Sequence, residues 1–169
     1  MTPLPASCEE VGRCLWVLED ARARTKAAIA GLDAAALDWT LRPGTNSIAS
    51  LLYHVAVIEA DWLFVDVLRD IPADMAALLP FGDRDDSGRL SRVEGLPLQA
   101  HVDRLDAVRG MLLRAFSEMD AVDFHRPRQL PDHDVTPAWV LHHLAQHEAE
   151  HRGQIMVLRE MAPDGANDG

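Results

Sequence analysis

Cysteine is nearly missing from this chain. Cys8 and Cys14 are the two present, and they form neither a C-x-x-C pair nor a disulfide framework. Six residues apart on a helix they would face different directions, so they read as reduced thiols, with Cys14 partly buried. Aromatic residues are few, while alanine and leucine are abundant, which favours helix over sheet. No period-two runs appear, so a strand-rich fold is not expected. Basic stripes with interleaved aromatics are absent, and the net charge of −11 should repel nucleic-acid phosphates. The opening residues carry no basic n-region and no apolar h-region, and no uninterrupted apolar run is long enough to span a bilayer. The expectation is a cytoplasmic protein working on small molecules, with no nucleic-acid or membrane partner. There is no internal repeat and no low-complexity tract.

What is present is amphipathic helix. The length fits one domain, 1–162, with a disordered tail at 163–169. Ser7-Cys-Glu-Glu10 matches a capping box, and Val11, Leu15, Leu18, Ala21, Ile29 and Leu32 then recur at helical spacing. A second helix is expected from about Ser47 to Arg69, with Leu51, His54, Ile58, Asp61 and Val65 on its inward stripe. A third starts with Pro97 as its first helical residue and buries Leu98, Val102, Leu105, Leu112, Phe116 and Met119. Thr136-Pro137 opens the fourth as N-cap and N1, and this helix runs to about Met161. Two long connections intervene, at about 70–96 (with a short helical turn near Met75–Leu79) and 120–135, both rich in turn residues. This pattern reads as an all-α four-helix bundle.

The last helix carries the chemistry. Val140, Leu144, His147, His151, Ile155 and Leu158 fall on one stripe, so two histidines interrupt an apolar face one turn apart. Imidazoles at i and i+4 have Cβ atoms roughly 5–6 Å apart and can bind one metal ion. A third ligand from a facing helix would leave an open coordination position of the catalytic kind. His54, inward on the second helix, is either that ligand or a core histidine with one hydrogen bond. His143, one turn before His147, is a further ligand, a group supporting the ligands, or a partly buried neighbour. Gln154 shares the inward face with His151 and is the better candidate for a polar group holding a ligand. Asp61 lies roughly 10 Å up the helix from His54, which allows a supporting role or a salt bridge. Glu59 and Glu148 sit off their stripes. His101, His125, His133 and His142 read as surface residues, with His125 or His133 an alternative lining for a site mouth. Gly153 points to a close helix approach, and Arg152 to a carboxylate partner.

These residues resemble a known family. The run His147-Glu-x-x-His-Arg-Gly-Gln-Ile155 resembles the last-helix motif of the DinB/YfiT-like superfamily. The stretch Trp39 to His54, continuing to Glu59 and Trp62, is similar to its second-helix region. The resemblance implies a four-helix bundle binding a divalent ion, zinc or nickel, through His54, His147 and His151. It also implies a homodimer and a metal-dependent transferase that joins a low-molecular-weight thiol to an electrophile. A metal-dependent hydrolase and a non-catalytic, metal-stabilised stress-related binding protein are the alternatives.

Overall fold

The computed structural model describes residues 2–163. Four long helices form the bundle: α1 (Glu9–Ile29), α3 (Ile48–Asp61), α5 (Leu98–Ser117) and α7 (Pro137–Met161). Short helices decorate the connections: α2 (Ala34–Asp38), α4 (Met75–Leu78) and α6 (Ala121–His125). α1 packs against α7 and α5, and α3 packs against α5 and α7, so each long helix has two neighbours around a common core. The expected all-α bundle is therefore the observed one. Of the tail expected to be disordered, all but Pro163 lies outside the described residues.

The helix starts show which local signals prevailed. Ser47 caps α3 by accepting from the Ser50 N–H, and Thr136 caps α7 by accepting from the Trp139 N–H, with Pro137 in the first turn. The expected capping box at Ser7 does not form. Ser7 N–H instead donates to Ser117 O at 2.7 Å, which ties it to the end of α5. α1 therefore begins one residue after Cys8, which makes no side-chain cap. Pro97 is the N-cap of α5 and not its first helical residue.

α3 differs most from expectation. It is apolar nearly all round and buries twelve of its fourteen residues, so it is a core helix and not a one-stripe helix. By length and composition alone Ile48–Val67 is apolar enough to cross a membrane, although Glu59, Asp61 and Asp66 interrupt it. Most of it is buried inside the bundle, which is what a core helix requires. At Trp62 the ladder switches to a π-helical turn, Trp62–Val67, and Arg69 then takes a left-handed φ of 55° that stops the helix. The π turn breaks the 100° periodicity. Val65 is consequently exposed, and so is Asp61, the last α-helical residue before it.

The two connections are more ordered than their composition suggests. The first contains α4 and an isolated bridge between Arg84 and Leu90. The second contains α6 and a two-stranded antiparallel ladder pairing Arg128–Gln129 with Asp134–Val135.

At the bundle axis lies a charge cluster that stripe reading missed. Arg22 of α1, Glu59 of α3, Arg109 of α5 and Glu148 of α7 are each at most 3% exposed. Arg22 Nη2 donates to Glu59 Oε2 at 2.8 Å, and its Nε donates to Glu148 Oε1 at 2.9 Å. Arg109 Nε donates to Glu59 Oε1 at 2.7 Å, and its Nη2 donates to Glu148 Oε2 at 2.9 Å. Each guanidinium also donates to a main-chain carbonyl, Leu105 O for Arg22 and Leu18 O for Arg109. Burial would raise the Glu148 carboxyl, but the two arginines outweigh it and hold it below the usual range. One charged residue from every long helix thus fixes how the four are rotated against one another.

Candidate metal centre

His54 from α3 and His147 and His151 from α7 converge. The ring nitrogens they offer all lie within 4.8 Å of one another. His147 Nε2 is 3.1 Å from His54 Nε2 and 3.1 Å from His151 Nε2. Ligands held about 2.0–2.1 Å from one ion lie about 2.9–3.4 Å apart as the angle between them widens from about 90° to tetrahedral. The observed separations fall in that range. His54 is buried, and the other two are half-buried at the edge of the α7 core face.

The outer nitrogens are held as metal ligands require. Asp83 Oδ1 is 2.5 Å from His54 Nδ1, and Gln154 Oε1 is 3.3 Å from His151 Nδ1. Both oxygens accept, so each Nδ1 carries its proton and each Nε2 presents a lone pair to the cluster. Burial lowers the pKa of all three imidazoles. For His147, burial and then the neighbouring His151 and His54 push it down to about 3. The rings are therefore neutral at physiological pH, which is the ligating form. The donor set fits a divalent ion that accepts imidazole ligands.

The cluster faces an open groove of about 700 Å³. Its lining includes Ile58, Trp62 and His143, and also Asp83, Arg84 and Arg89. His143 does not join the three ligand candidates. Its ring stacks on Trp139 at 4.9 Å and 7°, and packs edge-on to Trp62 at 5.2 Å. Its ring centre is 5.9 Å from that of His147, so it belongs to an aromatic wall.

Other sequence expectations part from the structure here. Asp61 does not line the groove; the carboxylate beside His54 is Asp83, delivered by the first long connection. Its signal was the density of Asp and Arg in that connection, which gave no direction. Glu148, next in sequence to His147, points to the bundle axis and not to the groove. His101 is buried, not on the surface, and neither of its ring nitrogens has a hydrogen-bond partner among the described residues. Gly153 faces open space and makes no close helix contact, whereas a Cβ at Gly12 would lie 2.3 Å from Leu4 O. Arg152 donates to Ala21 O, not to a carboxylate. The structure brings His54, His147 and His151 together, and Gln154, expected on the inward face, is exposed while still reaching His151.

The DinB superfamily model matches residues 17–155, a span that contains all three histidines. The chain belongs to the DinB superfamily. Among solved structures, this DinB protein is similar to a conserved protein of Enterococcus faecalis, with a TM-score of 0.68. The two are 16% identical over 88% of this chain and 94% of the other, which shows a shared fold. Comparison with functionally curated proteins gave no match.

Proposed function

We propose that this DinB protein is a metal-dependent transferase that joins a low-molecular-weight thiol to an electrophilic small molecule. The observation that carries the proposal is a cluster of three imidazole nitrogens opening onto a groove whose one carboxylate among the described residues, Asp83, is bound to His54. His54, His147 and His151 would hold a divalent ion, zinc or nickel. Such an ion supplies the acidity that turns a thiol into a thiolate near neutral pH.

The chain's own residues orient the site. Asp83 and Gln154 fix the tautomers of His54 and His151 so that their Nε2 lone pairs converge. Trp62, packed edge-on against the His143 ring, and Ile58 give the groove lining carbon surface against which the carbon of an electrophile can lie. In the reaction the sulfur forms a bond to carbon and the carbon–leaving group bond breaks. The leaving group departs with that electron pair and takes up the proton the thiol gave away. Cys8 and Cys14 do not line the groove, so the nucleophile comes from the cosubstrate.

Hydrolysis ranks second because it needs a general base near the attacking water. Asp83 is committed to His54, and Glu148 is locked between Arg22 and Arg109. A non-catalytic role would be favoured by a fourth ligand closing the site, and His143 is instead stacked on Trp139. We place the protein in the cytoplasm as a homodimer acting on small molecules. The net charge of −11 argues against nucleic acid.

The test is a panel of thiols and electrophiles assayed with zinc- or nickel-loaded protein. Metal-dependent conjugation that disappears when His54, His147 and His151 are all replaced by Ala supports the proposal. Turnover of esters or amides without thiol moves the assignment to hydrolysis. Activity that survives the triple replacement overturns both.

A further inference from the structure

The cationic side of the groove has no place in the scheme above. Arg84 and Arg89 both line it, in a protein whose overall charge is −11. The acidic residue lining the groove is Asp83, which already serves His54 and lies 3.3 Å from Arg84 Nε. Arg84 spends Nη1 on Gly88 O, and Arg89 spends Nε on Ser87 Oγ. A guanidinium has five N–H donors, so both forks retain donors for a ligand. Arg89 sits at a junction. It also lines an adjoining cleft of about 340 Å³ that continues past Thr45 and Asn46 to Ser47 and Arg92. Trp62 neighbours the histidines through His143, whose ring centre is 5.2 Å from that of Trp62 and 5.9 Å from that of His147, whereas Arg84 neighbours them through Asp83, which contacts both Arg84 and His54.

We infer that the small molecule entering this groove carries a carboxylate, and that Arg84 and Arg89 grip it. For a transferase this makes the thiol cosubstrate an acidic thiol, seated with its sulfur toward the histidines and its carboxylate on the arginines. The electrophile is left the Trp62 side. A carboxylate suits the site better than a phosphate. Asp83 lies 3.3 Å from Arg84 and Asp85 3.7 Å from Arg89, so the two carboxylates balance the formal charge of the two guanidiniums. No excess charge is left to favour a dianion, and the unspent N–H donors of a guanidinium fork match a planar carboxylate. The thiol part of this inference rests on the transferase reading; the anion part does not.

Binding tests it without any turnover. Zinc-loaded protein is titrated calorimetrically with 6-mercaptohexanoate, with 6-mercaptohexanol and with hexanoate; the carbon chain keeps carboxylate and thiol from chelating one ion. The expected result is that 6-mercaptohexanoate binds about ten-fold or more tighter than 6-mercaptohexanol. The double variant Arg84→Gln, Arg89→Gln should lose that preference while keeping its zinc content and its affinity for 6-mercaptohexanol. Arg13→Gln, an exposed charge on α1, should keep the preference. Equal affinity for the two thiols in the wild type overturns the inference and leaves the transferase reading standing. So does a preference that survives in the double variant or falls equally in Arg13→Gln. Inorganic phosphate displacing 6-mercaptohexanoate as well as hexanoate does overturns the carboxylate assignment. If neither thiol binds but hexanoate binds in an Arg84- and Arg89-dependent way, the carboxylate site is upheld and the transferase reading falls.

Discussion

Asp83 Oδ1 lies 2.5 Å from His54 Nδ1, so an irregular connection holds a ligand candidate of the core helix α3. The contact sets the tautomer and the orientation of the one imidazole that α7 does not supply. Asp83→Ala removes that acceptor and frees the ring to rotate. Metal affinity should fall about 10–100-fold, read by competition with a chromophoric chelator. The far-ultraviolet circular dichroism should be unchanged, because Asp83 is outside the helices.

The Arg22–Glu59–Arg109–Glu148 cluster is buried, so breaking it exposes no charge to water. Glu148→Gln leaves two guanidiniums short of a countercharge. It should cost about 3–5 kcal/mol of stability, the usual penalty for stranding a buried charge. Urea unfolding followed by circular dichroism reads this as a lower midpoint. Combining Glu148→Leu with Arg22→Met should cost less than the two single changes added together, because each removes the group the other strands.

His101 should make the protein acid-sensitive. Burial, then the nearby Arg104, lowers its pKa from 6.5 to about 4, with Asp38 acting the other way. Above pH 6.5 both folded and unfolded chains keep the ring neutral, and its contribution to stability is complete. Between pH 6.5 and 4 the unfolded chain takes up the proton and the folded one does not, so stability falls as pH falls. The loss is on the order of 3 kcal/mol across that window. His101→Leu should flatten this part of the profile, seen as the difference between the two metal-free proteins in urea midpoints from pH 7.5 to 4.5.

Two glycines should respond in opposite directions. At Gly153 a Cβ meets nothing within 4 Å, so Gly153→Ala should stabilise by about 1 kcal/mol through helix propensity alone. At Gly12 the Cβ would collide with a main-chain carbonyl, Leu4 O, which itself accepts no freedom to move because Leu4 N–H donates to Gly12 O. Gly12→Ala should destabilise by about 1–3 kcal/mol. Thermal melts of the two variants against the parent protein check both signs.

The long helices were legible because burial on one face imposes a period. Val11, Leu15, Leu18 and Ile29 mark α1, and Leu105, Leu112 and Phe116 mark α5, as read. That period is lost where burial is not one-sided. α3 is buried all round, so Asp61 looked inward on a stripe that does not exist, and the π turn after it shifted the later residues. Apolar periodicity cannot mark polar residues that face the interior. Glu59 and Glu148 are buried on Arg109, and His101 is buried with no ring partner among the described residues. At Ser7 the local capping signal lost to a tertiary hydrogen bond that the Ser7 N–H donates to Ser117 O.

The sequence by itself determined that His147 and His151 share a helix face, that Gln154 lies beside them and that His54 is inward on its own helix. Helix geometry is local, and a fixed rise and turn per residue place such neighbours whatever surrounds them. Only the tertiary structure decided that the three imidazoles meet within 4.8 Å, that Asp83 and not Asp61 supports His54, and that Arg84 and Arg89 face the same groove. Those relations join residues 29 to 97 positions apart in the chain. They depend on how four helices are rotated about a shared axis, and on the path of a connection that has no periodicity from which a direction could be read.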